Sequence, residues 1–539
     1  MRGEDPARMI EAAGACVRGM WEREATRTVP KLRFWAARPT GRPAVTWLLL
    51  VSVALAALAS SRTPLAAQSA LLGDENSWVR VQNVGDRAST VDLTFFDASG
   101  RRVATDGCPK VNACPAIRPG SGWSFFQQGY DGLPVGYRGS AVLKSDQPFV
   151  GLLARDAFKG GLFQIDGDTL RLGRGTAGMA FPVVQHTDTW VSRISIENTS
   201  ETRDACVEIR YWAQGQGTIA AIDPPAPGAG CPQGGTRLVP HETLLRDERN
   251  LTVPFGFDGS AQVRTYDTAT GVRAADQALA GTIDTRERRG PALGSKRGIT
   301  VDEQRRVVVL PLVERNATTG GVTWNTRFRI MNATPGVPNE VSLRYSGTNA
   351  SGERIEIDHK VTVVSSITCD QRSTGAGACL PNDKDLPSTF SGSVQLQAVE
   401  PIAAIVQRAS TQGAFSDYRG FTVVDASRSV VLPVLDKNYG AFGDSGGWNS
   451  WFRVLSFDGA PAFVRMVYFS KQFPNGQIRE GFSAAGAVTV FQGADGHLPD
   501  GWVGSAIVIS DQPVIVLVGV ENTVFQGDTA MLYNGAAFD

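Results

Sequence analysis

The stretch Leu133-Pro134-Val135-Gly136-Tyr137-Arg138-Gly139-Ser140 decides how this chain folds, because it returns three times with its internal spacing intact. The later copies are Val253-Pro254-Phe255-Gly256-Phe257-Asp258-Gly259-Ser260, Leu386-Pro387-Ser388-Thr389-Phe390-Ser391-Gly392-Ser393 and Leu498-Pro499-Asp500-Gly501-Trp502-Val503-Gly504-Ser505. Successive prolines of the mark lie 120, 133 and 112 residues apart, about one sandwich domain of ~100 residues each. Self-similarity at such a period is the sign of tandem units. The surrounding texture, short apolar runs broken by Gly, Pro, Asp, Asn and Ser, is that of an all-β chain. The aromatic residue of each mark is expected in a core, and the glycine at a bulge or a close backbone approach.

Two further marks repeat around the first. An alternating strand lies 40–52 residues upstream of each Gly-Ser, with apolar positions Val91, Leu93, Phe95; Val207, Ile209, Tyr211; Val341, Leu343, Tyr345; and Val464, Met466, Tyr468. Period-two alternation buries one face and wets the other. Before it comes a lead strand, in which Asn76-Ser77-Trp78-Val79-Arg80-Val81 matches Asn449-Ser450-Trp451-Phe452-Arg453-Val454, with looser copies at Trp190 and Trp324. Asn83, Asn198, Asn332 and Asp458 follow it, residues suited to a self-capping turn. Phe181-Pro182-Val183-Val184, Leu310-Pro311-Leu312-Val313 and Leu432-Pro433-Val434-Leu435 read as closing edge strands, where proline is tolerated. The short linkers after them imply neighbouring units that touch and bend little. Gly139–Lys144 and Pro148–Leu153, joined by Ser145-Asp146-Gln147, read as a hairpin, as do Gly504–Ile509 and Pro513–Val518. The second unit has a longer loop at 265–273 and an insertion at 286–305 rich in Arg, Gly and Lys, expected to be a mobile surface loop.

These openings, such as Val79-Arg80-Val81-Gln82-Asn83-Val84-Gly85 followed by Val91-Asp92-Leu93-Thr94-Phe95, resemble bacterial adhesion-related Ig-like modules. The Leu-Pro-x-x-aromatic-x-Gly-Ser-Ala run is similar to repeats in secreted bacterial proteins of uncharacterised function. The resemblance implies four tandem immunoglobulin-like β-sandwich domains, at 74–188, 189–321, 322–446 and 447–539. It carries no catalytic residues, and a sandwich fold hosts many unrelated roles.

Composition narrows the function class. Lysine plus arginine equals aspartate plus glutamate at 53 each, so no net basic field points to nucleic acid. Residues 1–67 read as an n-region and signal peptide: an acid-free basic stretch at 25–43, then the uncharged run Ala44 to Ala59, then small residues at Ala57-Leu58-Ala59 and Ala66-Ala67. Sixteen residues are short for a spanning helix, although an uncleaved signal anchor stays open. Five acids among the first 24 residues are unusual for an n-region and suggest a start at Met20 or later. Export implies extracellular or cell-surface placement and oxidised cysteines. Cys16 precedes the apolar run, which leaves Cys108, Cys114, Cys206, Cys231, Cys369 and Cys379. Closeness in sequence favours 108–114, 206–231 and 369–379, among the 15 pairings six cysteines allow. No C-x-x-C pair occurs, so zinc is not expected.

Candidate chemistry is thin. Gly443-Asp444-Ser445-Gly446-Gly447 spells the sequence around a chymotrypsin-like nucleophile, but that reaction needs a histidine base and a third orienting group. The four histidines, His186, His241, His359 and His497, lack the matching context, and the segment reads as a glycine-rich connector. Asp166-Gly167-Asp168 suggests calcium at a unit junction, yet it lacks the ligand spacing of a defined loop and reads as a solvated turn. Trp78, Trp190, Trp324, Trp451 and Trp502 recur and are expected in cores; Trp123 and Trp212 are less regular and are the candidates for a ligand face. The sequons at Asn198, Asn316 and Asn332 matter only in a glycosylating host. The expectation is a non-catalytic extracellular structural or adhesive protein without cofactor or metal. A secreted glycan-binding protein is the alternative, and a secreted hydrolase acting through Ser445 a remote one. A cell-surface glycan or another surface protein is the expected partner class. Membrane contact arises only through an uncleaved N-terminal segment.

Overall fold

The computed structural model describes residues 74–539 except 112, 160–161, 171–172, 174, 227–229, 232–233, 269, 275–276, 441–446, 523–524 and 539. The expected export segment, Cys16 and Ser445 therefore lie outside the described residues. Strands dominate, and the helix among the described residues is three short 3-10 turns at Gly375–Ala378, Asn382–Lys384 and Gln492–Ala494. All described residues belong to one contact unit, 70–539.

The glycine-serine mark takes the same place in all four copies. Each forms the start of a strand antiparallel to the alternating strand: Gly139–Ser145 on Val91–Asp97, Phe257–Tyr266 on Ala205–Ala213, Phe390–Ser410 on Asn339–Asn349, and Trp502–Asn522 on Ala462–Phe469. The register is identical. Ser140, Ser260, Ser393 and Ser505 face Phe96, Trp212, Ser346 and Phe469. One residue further in, the aromatic of the mark meets the last apolar position of the alternating strand edge-on. Tyr137 meets Phe95 at 6.2 Å, Phe257 meets Tyr211 at 6.2 Å, Phe390 meets Tyr345 at 6.3 Å and Trp502 meets Tyr468 at 5.6 Å between ring centroids. Such pairs add about 0.5–1.5 kcal/mol beyond area burial. A Cβ on Gly139, Gly259, Gly392 or Gly504 would overlap the facing strand's carbonyl oxygen and the mark's own aromatic side chain. Close approach, not left-handed backbone, is why these four are glycines.

The proline segments correct the sequence reading. Gly178–His186, Arg305–Arg315 and Ser427–Lys437 do not close the unit before them. They pair antiparallel with the glycine-serine strand of the following copy. In each the register jumps at the proline: Pro182-Val183, Pro311-Leu312 and Pro433-Val434 stand opposite the single residues Ser260, Ser393 and Ser505. Two residues against one is a β-bulge, and a bulge needs no ladder N–H from its proline. Two marks read separately along the chain are thus the two sides of one structure.

The hairpin reading is also corrected. Gly139–Ser145 and Phe149–Lys159 do not pair with each other; the second pairs with the lead strand Asp74–Asn83. In the third and fourth copies the same span is one strand of 21 residues. Its first half joins the alternating strand and its second half the lead strand, Val322–Asn332 or Trp448–Ser456. The chain crosses between two ladders here instead of turning back within one. Register also refines the lead strand. Trp78 and Trp451 match, facing Ala154 and Gly519 at equal distances beyond their serines, whereas Trp324, facing Ser410, matches Trp448.

Cys108–Cys114, Cys206–Cys231 and Cys369–Cys379 form the three expected local disulfides. The repeated asparagines cap themselves. Asn83 Nδ2 donates to Arg87 O and Ile117 O at 2.7 and 2.8 Å, and its Oδ1 accepts Gly85 N–H at 2.8 Å. Asn198 and Asn332 do the same with Arg203 O and Val337 O, so these two sequons hold buried, occupied amides.

Candidate functional site

The strongest constellation of functional groups lies where four short strands meet. Leu162–Thr169, Leu293–Arg297, Phe415–Arg419 and Ala530–Asn534 are the last full strands of the four copies, each paired to the strand that crosses from the glycine-serine ladder or its equivalent. They pack first on second, second on third, third on fourth and fourth on first, a closed cycle. Gln526–Gly527 of the fourth copy also pairs parallel with Leu162–Phe163 of the first.

Charged side chains fill this centre. Lys296 is 1 % exposed, with Nζ 2.7 Å from Asp166 and 2.9 Å from Asp417, so one ammonium joins three copies. Asp168 takes Arg419 at 2.8 Å, and Glu303 takes Arg297 at 2.5 Å and Arg419 at 3.7 Å. Burial disfavours the Lys296 charge, but Asp166, Asp417 and Asp168 outweigh it and raise its pKa. Burial pushes the Asp166 carboxyl well above the usual range, with Lys296 opposing and Asp417 adding to the rise. Burial also works against the charge on Glu303, yet Arg297 and Arg419 hold it well below the carboxylate range.

Asp528 ties all four copies at one point. Its carboxylate accepts Leu293 N–H at 2.8 Å and Phe415 N–H at 2.7 Å, and its own N–H donates to Phe163 O at 2.7 Å. Burial drives its pKa well up. A buried carboxyl that accepts backbone N–H groups from other strands is a structural cap, and every neighbour is already committed.

Junction clusters flank the centre. Arg193 joins Asp284 at 2.6 Å and Glu75 at 3.2 Å, with Arg155 and Arg286 on the same acids. Arg408 joins Glu314 at 2.6 Å and Glu521 at 2.8 Å and stacks over Trp324, 3.6 Å from its centroid. Between the fourth and first copies, Arg80 donates to Pro433 O at 2.5 Å and Ser505 to Gly120 O at 3.1 Å.

Several sequence expectations change here. Asp166-Gly167-Asp168 is neither a solvated turn nor an open acidic loop but a buried strand neutralised by other copies. The stretch 286–305 is not a mobile surface loop; it contains the strand Leu293–Arg297 and the buried Lys296. Trp212 is 3 % exposed and cannot present a ligand face; Trp123 is half-buried. Trp324, Trp451 and Trp502 are buried as expected, while Trp190 is half-buried and packs on Phe415 of the third copy. The histidines are dispersed. His186 bonds Val253 O, His497 pairs with Asp495, and His241 stacks on Phe96 between Glu197 and Glu201. Among the described residues no three His, Cys, Asp or Glu side chains gather in a metal-binding group. Open clefts among the described residues include one of about 390 Å³ beside Arg118, Gly120 and Phe469 and one of about 590 Å³ beside Arg354, Glu356, Asp358 and Lys384. At the larger, Arg354 pairs with Glu356, Asp358 pairs with Arg344 from outside the cleft, and Lys384 donates to Asp358 O.

No protein-family model matches the chain, and no curated protein matches it. Among solved structures, one described as the crystal structure of a tetra-tandem repeat in the extending region of a large adhesion protein aligns over 88% of this chain and 96% of that chain. The identity is 11% and the TM-score 0.09, a similarity too weak to carry an argument.

Proposed function

We propose that the chain is a non-catalytic extracellular or cell-surface repeat protein, four immunoglobulin-like sandwiches that act as one structural or adhesive body. The units begin with the proline strands, before Gly178, Arg305 and Ser427. The observation that carries this reading is the shared centre, where buried charges are matched across copies and aimed at one another instead of at a cavity. An active site keeps groups free for a substrate; these groups are consumed in holding copies together. Three disulfides and the export-like leader support an oxidising compartment.

Closure of the cycle favours a compact platform over an extended spacer. Small-angle scattering on the secreted chain is then expected to give a radius of gyration near the ~23 Å of a globular body of this length, and the dimensions of a rod would remove the platform reading. Adhesion itself is tested by binding of the labelled chain to intact cells and to a glycan array. A glycan-specific signal favours the glycan-binding alternative. Turnover on protease or glycosidase panels, lost on Ser445→Ala, would establish the hydrolase instead.

A further inference from the structure

In the second, third and fourth copies the glycine-serine strand is held on both edges, by an alternating strand and by a proline strand. In the first copy Gly139–Ser145 pairs only with Val91–Asp97 among the described residues. Its other edge has no partner strand among the described residues.

Burial follows the missing neighbour. Ala141 is exposed, whereas its counterparts Ala261, Val394 and Ala506 are each 0 % exposed. Leu143 is half-buried, against buried Val263, Leu396 and Val508. Leu133 and Tyr137 of the mark are half-buried too, where Val253, Leu386, Leu498, Phe257, Phe390 and Trp502 are buried. The first copy thus has the same register as the others and an uncovered flank to its core. An open edge beside exposed apolar side chains is a template for strand addition.

We propose that this edge accepts an extended segment of another protein that reads apolar-Pro-apolar-apolar, added antiparallel to Gly139–Ser145 with the proline and its successor bulged opposite Ser140. The occupant is defined by the three strands that fill this place elsewhere in the molecule. Each carries that sequence, runs antiparallel and bulges at that point. Main-chain hydrogen bonds along the edge supply affinity; the apolar residues one and three positions before the proline stand opposite Ala141 and Leu143, as Leu310 and Val308 stand opposite Val394 and Leu396, and supply specificity. The chain's own leader does not match. The prolines ahead of Asp74, at positions 6, 30, 39, 43 and 64, follow Asp, Val, Arg, Arg and Thr, and the one preceded by valine is followed by lysine. A second copy of the protein holds its three matching segments in its own ladders. The proposed source is a different protein. This inference stands on strand pairing alone, whatever surface the molecule adheres to.

The test uses the purified secreted chain and a dye-labelled peptide with the sequence of Arg305–Arg315, followed by anisotropy and by amide hydrogen exchange. Saturable binding is expected, at least about tenfold weaker for a scrambled peptide and for one with aspartate in place of Val308 and Leu310. Exchange at Ala141 and Leu143, whose amides face the free edge, slows by about tenfold or more on binding, with no change in the counterpart strands. Ala141→Asp, on an exposed side chain that leaves the fold intact, abolishes binding. The proposal is overturned by absent binding, by equal binding of the scrambled peptide, by protection in the third copy instead, or by unaltered affinity of Ala141→Asp. It is also overturned if residues 139–145 of the chain alone already exchange as slowly as 504–510.

Discussion

At the scale of single residues, the four glycines of the mark show how a small side chain records a neighbour. Each sits where the facing strand's carbonyl and its own mark's aromatic side chain leave no room for a Cβ. Gly392→Ala forces that overlap in the core of the third copy and is expected to cost about 1–3 kcal/mol, read as a lower midpoint in guanidinium denaturation. Ser391→Ala, one position earlier, stays within about 0.5 kcal/mol of the parent. These residues were legible in the sequence because identical spacing repeated four times leaves a strong trace, as did the cysteines and the capping asparagines. Asp166, Asp168 and Lys296 were not. Charged residues beside glycine read as solvent-facing, and only the partners from distant copies make their burial tolerable.

At the scale of elements, the proline bulge is the unit of construction. Its extra residue points N–H and C=O away from the ladder, and in two copies a tyrosine hydroxyl answers both. Tyr418 accepts from Leu312 N–H at 3.2 Å and donates to Leu312 O at 2.6 Å; Tyr533 does the same for Val434 at 3.3 and 2.5 Å. Tyr418→Phe or Tyr533→Phe leaves these buried groups unpaired and is expected to cost about 1–3 kcal/mol in chemical denaturation. Asp436 follows the fourth-copy bulge, and burial raises its pKa to about 7, with Arg80 of the first copy pulling the other way. The folded state holds this proton more tightly than the unfolded chain does, so stability falls as pH rises from the ordinary carboxylate range toward 7. Asp436→Asn is expected to retain, at pH 8 relative to pH 5, stability that the parent loses, about 2.5 kcal/mol. Denaturation midpoints at the two pH values check it. Sequence pattern found every one of these strands but mis-set their partners. Strand, three turn-like residues and strand looks the same whether the chain turns back or passes to a second ladder, and the outcome depends on partners more than 40 residues away.

At the scale of the whole molecule, the repeat count follows from periodicity, but the closed cycle does not, because nothing local says that the first and fourth copies touch. Their contact rests on Gln526–Gly527 beside Leu162–Phe163, on Arg80 at Pro433, and on Asp528. Tandem sandwiches joined only by linkers would unfold as separate units. Copies that share one buried ionic centre are coupled, and the expected calorimetric trace is a single cooperative transition. Lys296 is the decisive residue, since its ammonium is shared by copies one, two and three. Lys296→Ala leaves Asp166 and Asp417 facing each other in a dry site and is expected to cost about 3–5 kcal/mol. Lys296→Met fills the volume without the charge. It restores part of that loss at low pH, where the Asp166 carboxyl is protonated, and loses it again as pH rises and that carboxyl must ionise without its cation. Glu303 and Asp168 impose the opposite trend on the parent. Both are held below the carboxylate range against burial, so their contribution is present at neutral pH and fades as pH drops beneath the ordinary carboxylate value. Calorimetry of the parent and both variants at pH 4 and 7 therefore separates coupling from simple packing. One transition in the parent that splits into several in Lys296→Ala supports a shared centre. Several transitions in the parent itself would mean that the four copies fold independently.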